Sequence, residues 1–182
     1  MLGNDLLEGE LVRLAALTRA DLPQMVRWRE NIELRRLIEP GPIRPETLAH
    51  MTDRYTKIRK DGNSYYFAVR VLTDDQLLGW CNLRSIQWQP RWAKIGIMIG
   101  DPAQWDKGYG SDATRALLKF CFMELVLHRV QLKVIGYNQR AIRSYQKVGF
   151  KEEGTLREVI RRDGQFHDVV QMAILRHEWE AL

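Results

Sequence analysis

The chain has 182 residues, of which 45% are hydrophobic and 28% are charged, and its formal net charge is +5. This length suits one domain with a sizeable core, and the composition is that of an ordinary globular protein. A membrane span is excluded because no run approaches about 20 apolar residues, and the scattered lysines and arginines disfavour a dedicated nucleic-acid binder.

Three further features narrow the class of protein. The first residues, MLGNDLLEGELVRL, lack the basic, apolar and small-residue pattern of a signal peptide, which predicts a cytoplasmic protein. Cys81 and Cys121 are too few for a disulfide framework and lie in apolar stretches, so both are expected to be small core residues. The histidines His128, His167 and His177 lack the spacing of metal ligands, and the sequence therefore predicts no metal site.

The first half of the chain is predicted to hold a strand, two helices and three strands. ELVRLAAL alternates as a strand, and Thr18 with Asp21 three residues later indicates the start of a helix over about 21–31. A second helix is predicted in PETLAHMTDRYTKIRKDG, ending near Gly62. Three strands follow in SYYFAVRVL, QLLGWCNLRSIQW and WAKIGIMIG, the last of them stopping near Gly100.

The second half is predicted to contain a helix, a strand, a helix and a hairpin. The first of these helices has the i, i+3, i+4, i+7, i+8 spacing of a buried face, in Ala113, Ala116, Leu117, Phe120 and Cys121. RVQLKVIGYN alternates as a strand, and Asn138 and Gly149 would begin and end the helix QRAIRSYQKV. The dipeptide Asp163–Gly164 indicates a two-residue hairpin turn. Antiparallel hairpins with one strand–helix–strand crossover predict an α/β or α+β domain over 1–182 with a mixed sheet.

Two glycines, Gly108 and Gly110, precede a strongly patterned helix in DPAQWDKGYGSDATRALLKF. A glycine turn at a helix N-terminus leaves backbone N–H groups free at the positive end of the helix dipole, which is a site for a phosphate group. A dinucleotide-binding loop is excluded because the preceding strand stops near Gly100 and the next strand, ending in IGYN, has no acidic residue. A Walker loop is excluded because no Gly-Lys-Ser/Thr follows the first glycine.

The segment IGIMIGDPAQWDKGYGSDATRALLKF resembles the cofactor-binding motif Q/R-x-x-G-x-G/A of the GNAT acyltransferase superfamily. It is most similar to the RimJ/RimL branch, and NQRAIRSYQKVGFKEEG resembles the N-x-x-A-I-x-x-Y-x-K-x-G-F segment of that branch. The match covers about 77–177. The resemblance implies a central, mostly antiparallel sheet of about six or seven strands with about four helices, and an N-acetyltransferase that uses acetyl-CoA without a metal.

The site residues follow from the glycine loop and from the resemblance. Backbone N–H groups of Lys107, Gly108, Tyr109, Gly110 and Ser111 are expected to bind the diphosphate of acetyl-CoA. The remaining roles are implied by the resemblance alone. Backbone groups of Met98 and Ile99 would hold the pantetheine and face the thioester, Asn138 would lie near the pantetheine, and Tyr145 would stand beside the sulfur. Lys147 is included as a contact to a CoA phosphate, with a solvated lysine as the alternative.

Tyr145 is the expected catalytic residue, because a proton must reach the leaving thiolate. A phenol of pKa about 10 donating to a thiolate whose acid has a pKa of about 8.5 is uphill by roughly 2 kcal/mol. Tyr145 is therefore expected to act through a hydrogen bond as the charge develops, or with a shifted pKa.

The sequence departs from the family pattern at three positions. Trp105 occupies the usual Gln/Arg position, Asp106 a position often held by glycine, and Lys94 replaces a frequent glutamate in the sequence AKIGI. That glutamate is a common general-base candidate, so the base is unassigned. An α-amine acceptor, with a pKa near 8, needs a base less than a side-chain amine near 10.

The predicted function is transfer of acetyl to a protein or peptide N-terminal α-amine. The alternatives are a polyamine or other small-molecule acetyltransferase and, outside enzymes, a CoA-binding regulatory domain. Polyamine enzymes carry acids on the strand where this chain has Asn82, Arg84 and Ser85, which argues against that alternative. No nucleic-acid or membrane partner is expected, and a homodimer is implied only by the resemblance. The tryptophans Trp80, Trp88 and Trp92 are expected in the core or an interface, with the acceptor groove as the alternative.

Overall fold

A seven-stranded sheet with six helices forms the fold of a computed structural model that describes residues 5–182. The strands are β1 Val12–Ala16, β2 Tyr65–Val71, β3 Leu77–Gln87, β4 Trp92–Ile99, β5 Arg129–Ile135, β6 Lys151–Arg162 and β7 Gln165–Leu175. The helices are α1 Leu22–Arg29, α2 Ile32–Ile38, α3 Leu48–Ile58, α4 Tyr109–Lys119, α5 Gln139–Lys147 and α6 Arg176–Trp179. The predicted fold class is confirmed. The expectation about a signal peptide rests partly on residues 1–4, which lie outside the described residues.

The strand order is β1-β2-β3-β4-β5-β7-β6, and β4 with β5 is the parallel pair in a sheet whose other pairings are antiparallel. Hydrophobic side chains of α4 and α5 pack on one face, with Ile95 of β4 in the same cluster. Side chains of α1, α2 and α3 form a second cluster that includes Met98. Because Ile95 and Met98 are three residues apart, they point to opposite faces of β4, so the sheet separates the two groups of helices. No helix within residues 5–182 is long and apolar enough to span a membrane.

The local signals for caps and turns are confirmed. The Asn138 side chain accepts from the Ala141 N–H at 3.1 Å, and Gly149 ends the following helix with φ +98. Asp163 and Gly164 both have positive φ, as a type I′ turn requires. The five residues of the predicted buried face of α4 and its continuation are all buried, as are Cys81 and Cys121.

The predicted helix over 21–31 is wrong in its extent. The segment forms a 3₁₀ turn at Arg19–Asp21 and then α1, which ends at Arg29. Asn31, expected near the end of that helix, instead caps the next one, because its side chain accepts from the Leu34 N–H at 3.0 Å. The sequence analysis therefore missed α2. The predicted helix ended at Asn31, a residue type that can end one helix as well as cap the next, so Ile32–Ile38 received no predicted element.

Asp112, in the first turn of α4, holds residues 10–12 against that helix through hydrogen bonds. Its buried carboxylate accepts hydrogen bonds from the backbone N–H groups of Glu10, Leu11 and Val12, at 3.0, 2.8 and 3.0 Å. The chain comes so close that a Cβ on Gly9 would lie 2.3 Å from a carboxylate oxygen. Three backbone N–H groups, of which that of Val12 is buried and the other two are partly buried, thus depend on one carboxylate.

We expect Asp112→Asn to lower the free energy of unfolding by about 2–4 kcal/mol, measured by urea denaturation. An amide offers one acceptor oxygen and turns an NH₂ group toward N–H donors. Asp53→Asn, on the exposed side of α3, is the matched control and should change the free energy by less than about 0.5 kcal/mol. Equal effects of the two substitutions would show that the hydrogen bonds of Asp112 contribute nothing to stability.

Candidate active site

The central feature of the site is a gap between β4 and β5. The two strands pair at Trp92↔Arg129, Ala93↔Val130 and Lys94↔Gln131, and no further rung joins them within residues 5–182. β5 stays paired with β7 as far as Ile135↔Val169, while β4 continues to Ile99 beside β3. The edge of β4 beyond Lys94 therefore faces an open cleft.

Strand geometry determines which backbone groups of β4 face this cleft. The Gly100 N–H donates to the Leu78 carbonyl of β3 at 2.8 Å, so the alternate residues Ile99 and Ile97 turn their backbone groups the other way, into the gap. The Met98 carbonyl faces β3, since a Cβ on Gly79 would lie 1.9 Å from its oxygen. The expectation for Ile99 is thus compatible with the geometry. The expectation that the backbone of Met98 holds the pantetheine is corrected, because its backbone groups are directed to β3. The backbone groups of Ile97 face the gap instead.

The glycine loop adopts the conformation that exposes N–H groups. Gly108 has φ +86 and caps α4, and the Asp112 N–H makes the first helical bond, to the Gly108 carbonyl at 2.9 Å. The N–H groups of Tyr109, Gly110 and Ser111 therefore lack an acceptor within the helix and point out of its N-terminus into the cleft. A Cβ on Gly110 would meet only Ile99 Cγ1, at 3.9 Å. The turn fits a diphosphate group, because it offers free donors and little steric obstruction.

One residue of the predicted loop lies apart from the cleft. The Lys107 ammonium is exposed, donates to Gln104 Oε1 at 3.1 Å, and does not line the cavity. The other nine predicted site residues do line it: Met98, Ile99, Gly108, Tyr109, Gly110, Ser111, Asn138, Tyr145 and Lys147. The structure therefore brings together in one cavity residues that are spread over 50 positions of the chain, from Met98 to Lys147.

Trp105 and Arg140 form a stacked pair at the mouth of the cleft. The Trp105 indole N–H donates to the Ile99 carbonyl at 2.9 Å, and the Arg140 guanidinium lies 3.5 Å from the centre of the indole ring. Partial burial lowers the pKa of Arg140, and the carboxylates of Asp106 and Glu33 oppose that shift. Asp106 thus faces a cation as well as the loop, which offsets its charge near a bound diphosphate. The sequence analysis noted Trp105 only as a departure and missed Arg140.

Tyr145 contributes its phenol to the cleft from α5. Its ring packs edge-on against Phe150 with centroids 5.6 Å apart, and the side chain is half-buried. Burial, with a smaller effect of Cys81, raises the pKa of Tyr145 to about 12. The neutral phenol is therefore the stable form at any physiological pH, so the group can donate a hydrogen bond but is a poor proton donor to a thiolate.

Asn138 and two serines hold the helices that shape the cavity. The Asn138 amide nitrogen donates to the Leu37 carbonyl at 3.2 Å, while its oxygen caps α5, so this side chain ties α5 to the end of α2. Ser111 and Ser144 share a hydrogen bond of 2.8 Å that joins α4 to α5. The side-chain groups of Asn138 are thus already engaged, which favours a positioning role over direct contact with a ligand.

An apolar wall closes the cleft on the side of α2. It consists of Leu34, Leu37 and Ile38. The sequence analysis missed this wall together with α2. None of the three tryptophans considered for the acceptor groove lines the cleft. Trp80 packs with the second hydrophobic cluster, the indole N–H of Trp88 donates to Asn63 Oδ1 at 3.0 Å, and Trp92 lies under the Lys94 ammonium.

The chain is similar to known acetyltransferases over most of its length. The sequence model of the Acetyltransferase (GNAT) domain matches residues 12–151. The spermidine N(1)-acetyltransferase of Escherichia coli K12 is 29% identical over 170 residues, which is 93% of this chain and 89% of that protein. A putative ribosomal N-acetyltransferase of Bacillus subtilis is 33% identical over 110 residues, 60% of each chain. The crystal structure of spermidine N-acetyltransferase from Vibrio cholerae in complex with CoA and spermine has a TM-score of 0.85 at 28% identity, covering 93% of this chain and 98% of that one.

Proposed function

Because the chain belongs to the GNAT acetyltransferase family, we propose that it transfers the acetyl group of acetyl-CoA to the primary amine of a small molecule. Its similarity to the spermidine acetyltransferase of Vibrio cholerae carries this proposal, since it extends over nearly the whole of both chains. This similarity includes the region of α1–α3, and α2 forms one wall of the cleft. The resemblance to the RimJ/RimL branch begins at about residue 77 and does not reach that region.

The acceptor proposed here differs from the one predicted from the sequence. Of the relatives reported above, the putative ribosomal N-acetyltransferase points by its name to a protein acceptor, but it matches over only 60% of its length and does not show the RimJ/RimL branch. The relatives matched over nearly their whole length act on spermidine by name, and the solved one is bound to spermine. These findings favour the small-molecule alternative. The relatives reported above are named as acetyltransferases, so none of them supports a purely regulatory CoA-binding domain. The homodimer, the cytoplasmic location and the single domain over 1–182 stay predictions.

Acetyl-CoA supplies the acetyl group as an activated thioester. In our proposal the N–H groups at the start of α4 bind its diphosphate, and the backbone of Ile97 and Ile99 holds the pantetheine in the gap. The amine lone pair forms the C–N bond as the C–S bond breaks, and the proton lost by the amine balances the one gained by the thiolate. Tyr145 donates a hydrogen bond to the sulfur as its negative charge develops.

The cleft offers no evident general base. Among residues 5–182, Asp106 is the single carboxylate that lines it, and it lies near the Arg140 guanidinium. The acceptor must therefore bind as the neutral amine or lose its proton to water. The rate below the pKa of the acceptor should then rise about tenfold per pH unit.

A thiol-release assay with purified protein tests this function. We expect acetyl-CoA to be consumed with small primary amines such as hexylamine at a kcat/KM at least about tenfold higher than with short, C-terminally amidated peptides whose one amine is the α-amine. Mass spectrometry of the products should show one added acetyl group on the amine. Faster turnover of the peptides would restore the peptide N-terminal acceptor, and thiol release without an acetylated amine would exclude both acceptors.

A further inference from the structure

A second cavity lies at the closed end of the β4–β5 gap. It is lined by Arg84 and Ser85 of β3, Lys94 and Ile95 of β4, Gln131, Leu132 and Lys133 of β5, and Gln171 of β7. Lys94↔Gln131 is the last rung between β4 and β5, so this cavity begins where the cleft ends. Ile95 and Ile97 are two residues apart, or roughly 7 Å along a strand, which places the two cavities on the same open edge of β4.

The charge of this cavity is entirely positive. Arg84, Lys94 and Lys133 contribute cations, and no carboxylate from the described residues 5–182 lines the cavity. None of these three side chains forms a salt bridge with any residue in the described part of the chain. The Lys94 ammonium is held 5.7 Å from the centre of the Trp92 ring. Three cations around one cavity repel one another, and a bound anion would relieve that repulsion.

Asn82 adds an independent sign of a ligand between the cavity and the cleft. Its side chain is 4% exposed, and its Oδ1 has no hydrogen-bond partner within residues 5–182. It lies on the same face of β3 as Arg84, two residues away, opposite Gly96 of β4. The oxygen is 3.2 Å from the place that a Cβ on Gly96 would occupy, so the missing side chain leaves room beside it. A buried acceptor without a donor is costly unless a ligand or water completes it.

Resting on the proposed acetyl transfer, we propose that this basic cavity binds a carboxylate of the acceptor, so that the preferred substrate is a primary amine that also carries an anionic group. Asn82 Oδ1, opposite Gly96 and therefore close to Ile97, lies toward the amine end of such a molecule and accepts from its amine N–H groups. Lys94, three residues from Ile97, stands roughly 10 Å from the open backbone along β4. An ω-amino acid of about six carbons, helped by the reach of the lysine side chains, spans that distance.

The same cations act against binding of a polyamine in this cavity. A second ammonium group at Arg84, Lys94 and Lys133 would meet three like charges.

Three amines of matched length test the inference: 6-aminohexanoate, hexylamine and 1,6-diaminohexane. With the wild-type protein and saturating acetyl-CoA, we expect kcat/KM for 6-aminohexanoate to exceed that for hexylamine about tenfold. The value for the diamine should lie below that for hexylamine. Added salt should reduce the preference for the amino acid, because it screens the exposed cations.

Substitutions test whether the cations of this cavity cause the preference for 6-aminohexanoate over hexylamine. The double variant Lys94→Gln/Lys133→Gln should bring the ratio of 6-aminohexanoate to hexylamine close to one, while kcat/KM for hexylamine changes less than about threefold. Lys60→Gln, an exposed lysine of the loop after α3, removes a charge elsewhere and should keep the wild-type ratio. Three results would each overturn the anion site alone: equal kcat/KM for hexylamine and the amino acid, a higher kcat/KM for the diamine than for hexylamine, and an unchanged ratio in the double variant. Failure to acetylate any of the three amines would overturn the proposed function as well.

Discussion

The substitution Gly110→Asp should abolish acetyl-CoA binding, weakening it at least about 100-fold in a calorimetric titration. Gly110 lies in the first turn of α4 and lines the cleft beside Ile99. A carboxylate there repels the diphosphate and competes for the free N–H groups, and each charge-assisted hydrogen bond lost costs about 1.5–3 kcal/mol. The fold should survive, because an acidic residue in the first turn of a helix is stabilising.

Gly110→Ala is the matched control. Its Cβ would have ordinary van der Waals contact with Ile99 Cγ1 at 3.9 Å, and it adds no charge. We expect its affinity for acetyl-CoA to stay within about threefold of wild type, with equal or higher thermal stability, since alanine favours a helix over glycine. If the aspartate variant bound acetyl-CoA like the alanine variant, the diphosphate would have to lie elsewhere.

The substitution Tyr145→Phe should lower kcat about 100-fold and leave the affinity for acetyl-CoA unchanged. Phenylalanine retains the edge-on packing against Phe150, so only the hydroxyl is lost. Steady-state kinetics with hexylamine at saturating acetyl-CoA measure the effect, and calorimetry checks the binding. A loss below about threefold would remove Tyr145 from the mechanism.

The pH dependence separates two roles for this hydroxyl. The pKa of Tyr145 is raised to about 12, so the neutral phenol is retained until the pH approaches that value. Deprotonation of Tyr145 should then give no falling limb in kcat below about pH 11. A tyrosine acting as a full proton donor with a lowered pKa would give a falling limb that is absent in Tyr145→Phe. Observing that limb would contradict the hydrogen-bonding role.

Features encoded within a few residues could be predicted from the sequence. The turn at Gly108, the cap at Asn138 and the hairpin at Asp163–Gly164 each depend on residue types that impose their own backbone conformation. The spacing of the buried face of α4 was sufficient to place that helix. Together with the order of the elements, these local signals predicted a mixed sheet and the glycine loop, while the other residues of the cleft were expected from the resemblance.

Features that depend on contacts between distant residues could not be predicted. The separation of α1 from α2 depends on the side chain of Asn31, which caps a helix at a position where helices also end. The stacking of Arg140 on Trp105 joins the start of α5 to the glycine loop, and no local pattern indicates it. The orientation of the Met98 backbone follows from which strand pairs with β4 on each side. These are properties of the folded sheet rather than of any single segment.

A crystal structure of the protein with CoA is the most direct test of the central claim. We predict that the diphosphate accepts from N–H groups between Gly108 and Ser111, that the pantetheine lies in the β4–β5 gap against Ile97 and Ile99, and that the sulfur lies within hydrogen-bond distance of the Tyr145 hydroxyl. A diphosphate bound away from α4, or a sulfur remote from Tyr145, would contradict the account of how this cleft carries out acetyl transfer.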